Sequence, residues 1–160
     1  MWHRALFFGC AAMAFAPHFA QAQAPAQAPA APVVQAYDAE LAKSLGGNDN
    51  GMRSYVLVIL KTGPRKMPDG EARKEMFKGH FANIQRLASE KKLALAGPLD
   101  GVDGWRGVFV IAAPDIAQAK TYVETDPVII NGEMVAEYHK FFSSAGLMMV
   151  NEVHNKIIKK

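Results

Sequence analysis

The chain has 160 residues, with 18 Lys and Arg against 15 Asp and Glu, so its formal net charge is only +3. This balance excludes the strongly basic surface expected of a nucleic-acid-binding domain, and the length suits one folded domain behind a leader. The one cysteine, Cys10, excludes a disulfide within the chain.

The pattern of residues 1–22 predicts a signal peptide. Arg4 supplies a positive charge, and the apolar run "ALFFGCAAMAFA" follows it. That run is shorter than the roughly 20 apolar residues that a membrane-spanning helix needs. The "AQA" that ends at Ala22 has the small-x-small pattern of a cleavage site, although a repeated "AQA" leaves the exact cut open.

Export follows as an expectation from this leader. We expect a periplasmic or secreted protein that has no membrane association once the signal peptide is removed. Cys10 offers an alternative, a lipoprotein cleavage site, but Phe7 and Phe8 fit that pattern poorly. Cleavage after Ala22 would remove Cys10 and leave a chain without thiol chemistry.

Three segments follow the signal peptide. Residues 23–52 are rich in Ala, Pro and Gln and then in Gly and Asn, which is typical of a leader and linker with at most one or two helical turns. Residues 53–146 carry the regular hydrophobic patterns of a compact domain. Residues 147–160 form a C-terminal tail.

The domain opens with a strand and a long helix. "SYVLVIL", residues 54–60, is short, apolar and β-branched, which predicts a strand. Asp69 is a candidate N-cap for a helix over residues 71–92. One face of that helix combines apolar side chains with a histidine: Met76, Phe77, His80, Phe81, Ile84, Leu87 and Ala88.

The second half repeats this alternation. "LALAG" (93–97) and "GVFVIAA" (107–113) predict two strands on either side of the turn "PLDGVDG". Pro114 suits the first turn of a second helix, which extends to about Glu124. "VII" and then "GEMVAEYHKFF" predict the last strand, with a break at Asn131-Gly132.

The element order β-α-β-β-α-β predicts an α+β fold of the ferredoxin-like type. In this arrangement, a four-stranded antiparallel sheet carries two helices on one face. The first and third strands are apolar on both sides, so the face without helices also needs cover. We expect a homodimer whose sheets face each other, and the alternative is that the tail "GLMMVNEVHNKII" folds over this face.

Few residues suggest chemistry. The chain has no nucleotide-binding glycine loop, no zinc motif and no nucleophile elbow, so we expect neither a cofactor nor a metal. His80 stands out because it lies on the apolar face of the first helix. It is either a core histidine with a satisfied ring or a general base that needs a nearby acid.

Asp126 is the candidate acid for His80. Pro127 disfavours helical backbone at the residue before it, so Asp126 should leave the second helix in an extended conformation. The two helices lie side by side on the sheet, which could bring Asp126 near the middle of the first helix. Helix capping or a turn is the alternative role for this aspartate.

Three segments together resemble the YciI-like (YCII-related) family over roughly residues 54–142. They are "GHFANIQRLASEKKLALAGPLDG", "GVFVIAA" and "AKTYVETDPVIINGEMVAEYHKF". The resemblance implies a dimeric α/β barrel and a His–Asp pair proposed as an active site, here His80 and Asp126. One branch of the family resembles lyases that remove chloride from hydroxylated aromatics. The leader and the tail depart from the family pattern.

The resemblance favours an enzyme of lyase or isomerase type that transfers protons without a cofactor on a small acidic or aromatic substrate, and the leader predicts that this enzyme is exported. Gly97, Arg106 and Tyr138 are candidate substrate-binding residues, although Gly97 also suits a tight turn and Arg106 a surface position. Trp105 is interpreted as a packing residue, and Tyr138 and His139 should face opposite sides of the last strand. A non-catalytic module that binds a small ligand, or an assembly protein, is the alternative.

Overall fold

The structure is a computed structural model and describes residues 36–159. The predicted signal peptide and the first part of the leader therefore lie outside the described residues. The chain begins with a short helix, α1 (Ala39–Ser44), whose N-cap Asp38 accepts a hydrogen bond from the Leu41 N–H. This helix matches the one or two turns expected in the linker.

Four strands and two main helices form the domain. The sheet contains β1 (Met52–Thr62), β2 (Leu93–Pro98), β3 (Trp105–Ile111) and β4 (Met134–Ser144). Helix α2 (Glu71–Ser89) connects β1 to β2, and α3 (Ile116–Val123) and a single turn, α4 (Pro127–Ile130), connect β3 to β4. All pairings are antiparallel in the order β2-β3-β1-β4, which confirms the predicted ferredoxin-like fold.

The main core lies between the helices and one face of the sheet. Alternate residues of β1 point into it, and helices α2 and α3 contribute the opposite wall. Its buried members include Val56, Val58, Leu60, Met76, Leu87, Phe109, Ile111, Ala119 and Val123. Both helices therefore cover the same face, as predicted.

The other face of the sheet carries a smaller apolar cluster. Tyr55, Ala94 and Val110 are buried there, and Leu147 and Met148 of the tail pack against them. The tail continues into α5 (Val150–Ile157) after a 3₁₀ turn at Ala145–Met149. The tail thus covers part of this face, as one of the two sequence-based alternatives expected, and the dimer stays a prediction.

Three local expectations from the sequence are wrong. Asp69 does not cap α2: Gly70 occupies the N-cap, and the Asp69 carboxylate accepts a hydrogen bond from Arg73 instead. Pro114 precedes the N-cap of α3, where Asp115 accepts from the Gln118 N–H at 2.8 Å.

The third correction concerns "VII", which was expected to begin the last strand. These residues belong to α4, which Pro127 opens at its first position and Asp126 caps. Proline is well tolerated there because its missing N–H has no helical partner to lose. Val128, Ile129 and Ile130 are β-branched and favour a strand, but the Asp126 cap and Pro127 start a helical turn here instead.

A buried ion pair fixes the loop between β1 and α2. Glu133 is nearly inaccessible, and its Oε1 lies 2.7 Å from Arg73 Nη2. Its Oε2 accepts the Met67 N–H at 2.6 Å. Hydrogen bonding from Arg73 lowers the pKa of the Glu133 carboxyl, so this side chain remains an anion in the folded protein.

Among residues 36–159, no helix is both long enough and apolar enough to span a membrane.

Candidate active site

His80 and Asp126 are joined by a hydrogen bond inside the domain. His80 Nδ1 lies 2.8 Å from Asp126 Oδ2 and 2.9 Å from Oδ1. Asp126 is fully buried, and His80 keeps 7% of its surface exposed. The contact that a functional interpretation of this histidine requires is therefore present.

The partner of Nδ1 determines where the ring proton resides. An ionised carboxylate can only accept hydrogen bonds, so Nδ1 must carry the hydrogen, and Nε2 is the acceptor nitrogen of the neutral ring. Within residues 36–159, Nε2 has no hydrogen-bond partner and is not a fully buried atom. It is therefore free to accept a proton from a molecule in the adjoining cavity.

Asp126 is both a helix cap and the partner of His80. Its backbone is extended, with φ −76° and ψ 127°, as expected of the residue before Pro127. Oδ1 accepts the Val128 N–H at 3.1 Å, which caps α4, and Oδ2 accepts Asn83 Nδ2 at 3.1 Å. Capping and pairing, which are alternatives from the sequence alone, are thus compatible roles of one buried carboxylate.

Asn83 was not identified from the sequence. Its Oδ1 accepts hydrogen bonds from Arg86 Nη2 at 2.7 Å and from Thr125 Oγ1 at 3.2 Å. Two donors at the oxygen orient the amide so that its nitrogen faces Asp126. Its spacing is the signal that could have identified Asn83, because residues three apart on a helix are neighbours on one face and Asn83 follows His80 by three.

Gly79 allows the two halves of the pair to meet. A Cβ atom at this position would lie 3.0 Å from Pro127 Cγ. Because only hydrogen is present, the turn that carries Asp126 can approach α2 closely. Two adjacent contacts therefore join α2 to this turn. Gly79 lies against Pro127, and His80 is hydrogen-bonded to Asp126.

A cavity of about 410 Å³ adjoins His80. Its walls are apolar and partly aromatic, and His80 and Arg106 are the ionisable residues among them. The lining comprises Leu60, Phe77, His80, Phe81, Ile84, Ala96, Gly97, Pro98, Arg106, Gly107, Phe109 and Met134. Within the part of the chain that the structure describes, no group of three His, Cys, Asp or Glu residues is placed to bind a metal ion.

Three aromatic rings surround the imidazole. Phe109 is stacked on it at 6.0 Å between ring centroids, with an interplanar angle of 22°. Phe81 lies at 5.4 Å and Phe77 at 6.1 Å. These rings hold the His80 side chain in one orientation and offer flat surfaces to an aromatic ligand.

Two of the three predicted substrate-binding residues reach this cavity. Gly97 lies within β2 rather than in a tight turn, and a Cβ atom there would meet no other atom within 4 Å. Arg106 lines the cavity beside Gly97, although a surface position was the alternative for it. Trp105, interpreted from the sequence as a packing residue, is 42% exposed. Arg106 is therefore available to an anionic ligand.

Tyr138 and His139 lie elsewhere. They face opposite sides of β4, as predicted, but Tyr138 packs toward α3 beneath Lys120 and does not line the cavity. Burial raises the pKa of Tyr138 to about 12, so its hydroxyl is a poor proton donor near neutral pH. His139 is exposed and pairs with Glu137 at 2.7 Å.

Comparison with known proteins identifies the class of this domain. Residues 52–141, more than half of the chain, match the YCII-related domain. The chain therefore belongs to the YCII-related family, which confirms the resemblance seen in the sequence.

Two individual proteins are similar to part of this chain. The uncharacterized protein YjpA of Bacillus subtilis (strain 168) is 27% identical over 81 residues, which cover 51% of this chain and 85% of YjpA. A solved structure of 5-chloro-2-hydroxyhydroquinone dehydrochlorinase (TftG) from Burkholderia phenoliruptrix AC1100, in complex with 2,5-dihydroxybenzoquinone, is 18% identical with a TM-score of 0.36. That match covers 55% of this chain and 90% of TftG.

Replacing Gly79 by Val should separate His80 from Asp126. The added side chain would push Pro127 away from α2, and overpacking of this kind costs about 1–3 kcal/mol of folding free energy. We expect the variant to fold. In its proton NMR spectrum, the His80 Nδ1–H signal should no longer have the downfield chemical shift of a hydrogen-bonded proton. Ala82→Val, an exposed change on the same helix, is the control. An intact signal in Gly79→Val would contradict this role of the glycine.

Proposed function

We propose that this protein is a small enzyme of lyase or isomerase type, which removes a proton from an acidic or aromatic substrate without a cofactor. The observation that carries the proposal is the hydrogen bond between His80 and Asp126 at the wall of an apolar cavity. A buried histidine oriented by a carboxylate, with its other nitrogen toward a cavity, is the arrangement of a general base.

His80 would act through Nε2. As this nitrogen takes the proton from the substrate, the ring becomes positively charged, and the Asp126 carboxylate at Nδ1 stabilises that charge. The hydrogen bonds from Asn83 and from the Val128 N–H keep the carboxylate in place during the transfer. A positioned base of this kind contributes about 10²–10⁴-fold to a rate, which suits a substrate whose proton is already labile.

The cavity favours a flat substrate that develops negative charge. Phe77, Phe81 and Phe109 present aromatic surfaces around His80. Arg106 supplies a permanent positive charge at the same cavity and would stabilise the phenolate or enolate that proton removal forms. Acidic phenols, enols and carbon acids are the substrate classes that these walls would admit.

The ring opening of nitrobenzisoxazole tests the base without knowledge of the natural substrate. This flat carbon acid opens on loss of its ring C–H proton and releases a coloured cyanonitrophenolate. We expect the wild-type protein to accelerate the reaction above an equal concentration of free imidazole, and His80→Gln to lower the rate by about 10²-fold or more. Absorbance of the released phenolate measures both rates.

His139→Gln is the matched control, because it removes an exposed histidine on the other face of the sheet. Its rate should equal that of the wild type. Equal rates for wild type and His80→Gln, or a wild-type rate no higher than that of free imidazole, would contradict the proposed base.

A ligand-binding module is the second candidate function. The observation that favours it is the lining of the cavity, in which His80 and Arg106 are the only ionisable side chains among residues 36–159. Arg106 is a poor proton donor because its guanidinium remains charged, so a leaving group would find no dedicated acid. Long retention of a ligand without any product would select this function.

We also propose that the protein forms a homodimer through the sheet face opposite the helices. Leu57, Leu95, Ala112 and Phe141 are only partly buried on that face, and the tail covers the cluster at one end. Light scattering at micromolar concentration should give the mass of two chains. A monomer mass would leave the tail as the cover of this face.

Export to the periplasm or the outside of the cell is a further part of the proposal. It rests on the charge, apolar run and small-x-small pattern of residues 1–22. N-terminal sequencing of protein recovered from the periplasmic fraction of a bacterial host should find a chain that begins after Ala22 or within a few residues of it. An intact Met1 and retention inside the cell would contradict export.

A further inference from the structure

A second cavity of about 530 Å³ adjoins the one at His80. The two share three lining residues, Phe81, Ile84 and Ala96. The second cavity lies between the end of α2, the start of β2 and the C-terminal helix α5, and its lining is Phe81, Ile84, Gln85, Ala88, Ser89, Leu93, Leu95, Ala96, Val150, Asn151, His154, Asn155 and Ile158.

The lining residues follow both walls in a consistent order. Along α2, Phe77 lines only the first cavity, Phe81 and Ile84 line both, and Ser89 lines only the second. Along β2, Pro98 lines the first cavity, Ala96 lines both, and Leu93 lines the second. The two cavities therefore adjoin each other along α2 and β2, over about 18 Å from Phe77 to Ser89 at the helical rise per residue.

Helix α5 forms the outer wall of the second cavity. Val150, His154 and Ile158 recur at intervals of four residues, so one side of the tail faces this cavity. Asn151 ties the helix to the sheet, because its Nδ2 donates to the Leu93 carbonyl at 2.7 Å. This helix lies outside the YCII-related domain at residues 52–141, so the family domain alone would not form this wall.

We infer that the second cavity binds an apolar substituent of the same molecule whose acidic group contacts His80. This inference rests on the proposed function and narrows its substrate class to phenols or enols that carry an alkyl or aryl substituent of several carbons. Ala88, Leu93, Leu95 and Ile158 supply apolar surface along the path. The polar Gln85, His154 and Asn155 are exposed and stand at the rim, where water is accessible.

Two ortho-nitrophenols test the inference, one with a para-methyl and one with a para-hexyl substituent. The nitrophenol group reports ionisation by its visible absorbance, and titration calorimetry gives the dissociation constant. Each methylene buried in an apolar site strengthens binding by about fourfold. The hexyl compound has about five more methylenes than the methyl compound, and burial of only three of them should make it bind at least 30-fold more tightly.

Two variants place a bulky side chain in the second cavity from opposite walls. Ala88→Trp acts from α2 and Asn155→Trp from α5, where the exposed position of residue 155 tolerates a large side chain. Both should remove most of the advantage of the hexyl group and leave the affinity for the methyl compound within twofold. Ala72→Trp, exposed near the start of α2 and outside both cavities, is the matched control.

The outcomes separate this inference from the proposed function. If the wild-type protein binds the methyl and hexyl compounds with equal affinity, the second subsite is refuted and the proposed base is not. The same conclusion follows if both tryptophan variants still bind the hexyl compound more tightly. A change of oligomeric mass in Asn155→Trp, with the hexyl advantage retained, would assign the cavity to a second copy of the chain. Binding of both compounds without ionisation, and unchanged in His80→Gln, would overturn the proposed base and leave the subsite. Binding of neither compound would overturn both.

Discussion

The buried carboxylate of Asp126 is the constraint on which the site depends. A charge without access to water is stable only if its hydrogen-bonding capacity is filled, and here a histidine, an asparagine and a backbone N–H fill it. These partners come from α2 and from the turn that follows α3. One ion therefore connects α2 to the turn that follows α3, and removing any partner would leave part of that charge unsatisfied.

The positions of the partners follow from local chemistry. Pro127 gives the preceding residue an extended backbone and opens a single helical turn, so the Asp126 side chain is directed toward an N–H of that turn. Gly79 removes the one Cβ atom that would keep the turn at a distance. Pro127 and Gly79 thus determine the geometry of the His80–Asp126 pair, and the helices that carry the pair pack on the sheet.

Much of this was readable in the sequence, and the exceptions have physical reasons. Short apolar runs rich in β-branched residues predicted the strands, and the helical period of apolar residues predicted the main helices, because burial imposes these patterns on the sequence. His80 and Asp126 were paired from the apolar helix face, the Asp-Pro step and the family resemblance. Asn83 and Gly79 were missed, since their roles depend on which segment lies opposite them, and that is a tertiary property. "VII" was assigned to a strand because β-branched residues favour one, although capping decided otherwise.

The contact between Asn151 and the Leu93 carbonyl also concerns the solubility of the protein. Strand β2 is one of the two edge strands of the sheet, and an edge strand exposes backbone groups that can pair with a strand from another molecule. Asn151 also reaches the next carbonyl, that of Ala94, at 3.3 Å, so the tail engages the first part of this edge. Helix α5 thereby shields β2 from addition of a foreign strand, a protection against aggregation that the family domain without this tail would have to obtain in another way.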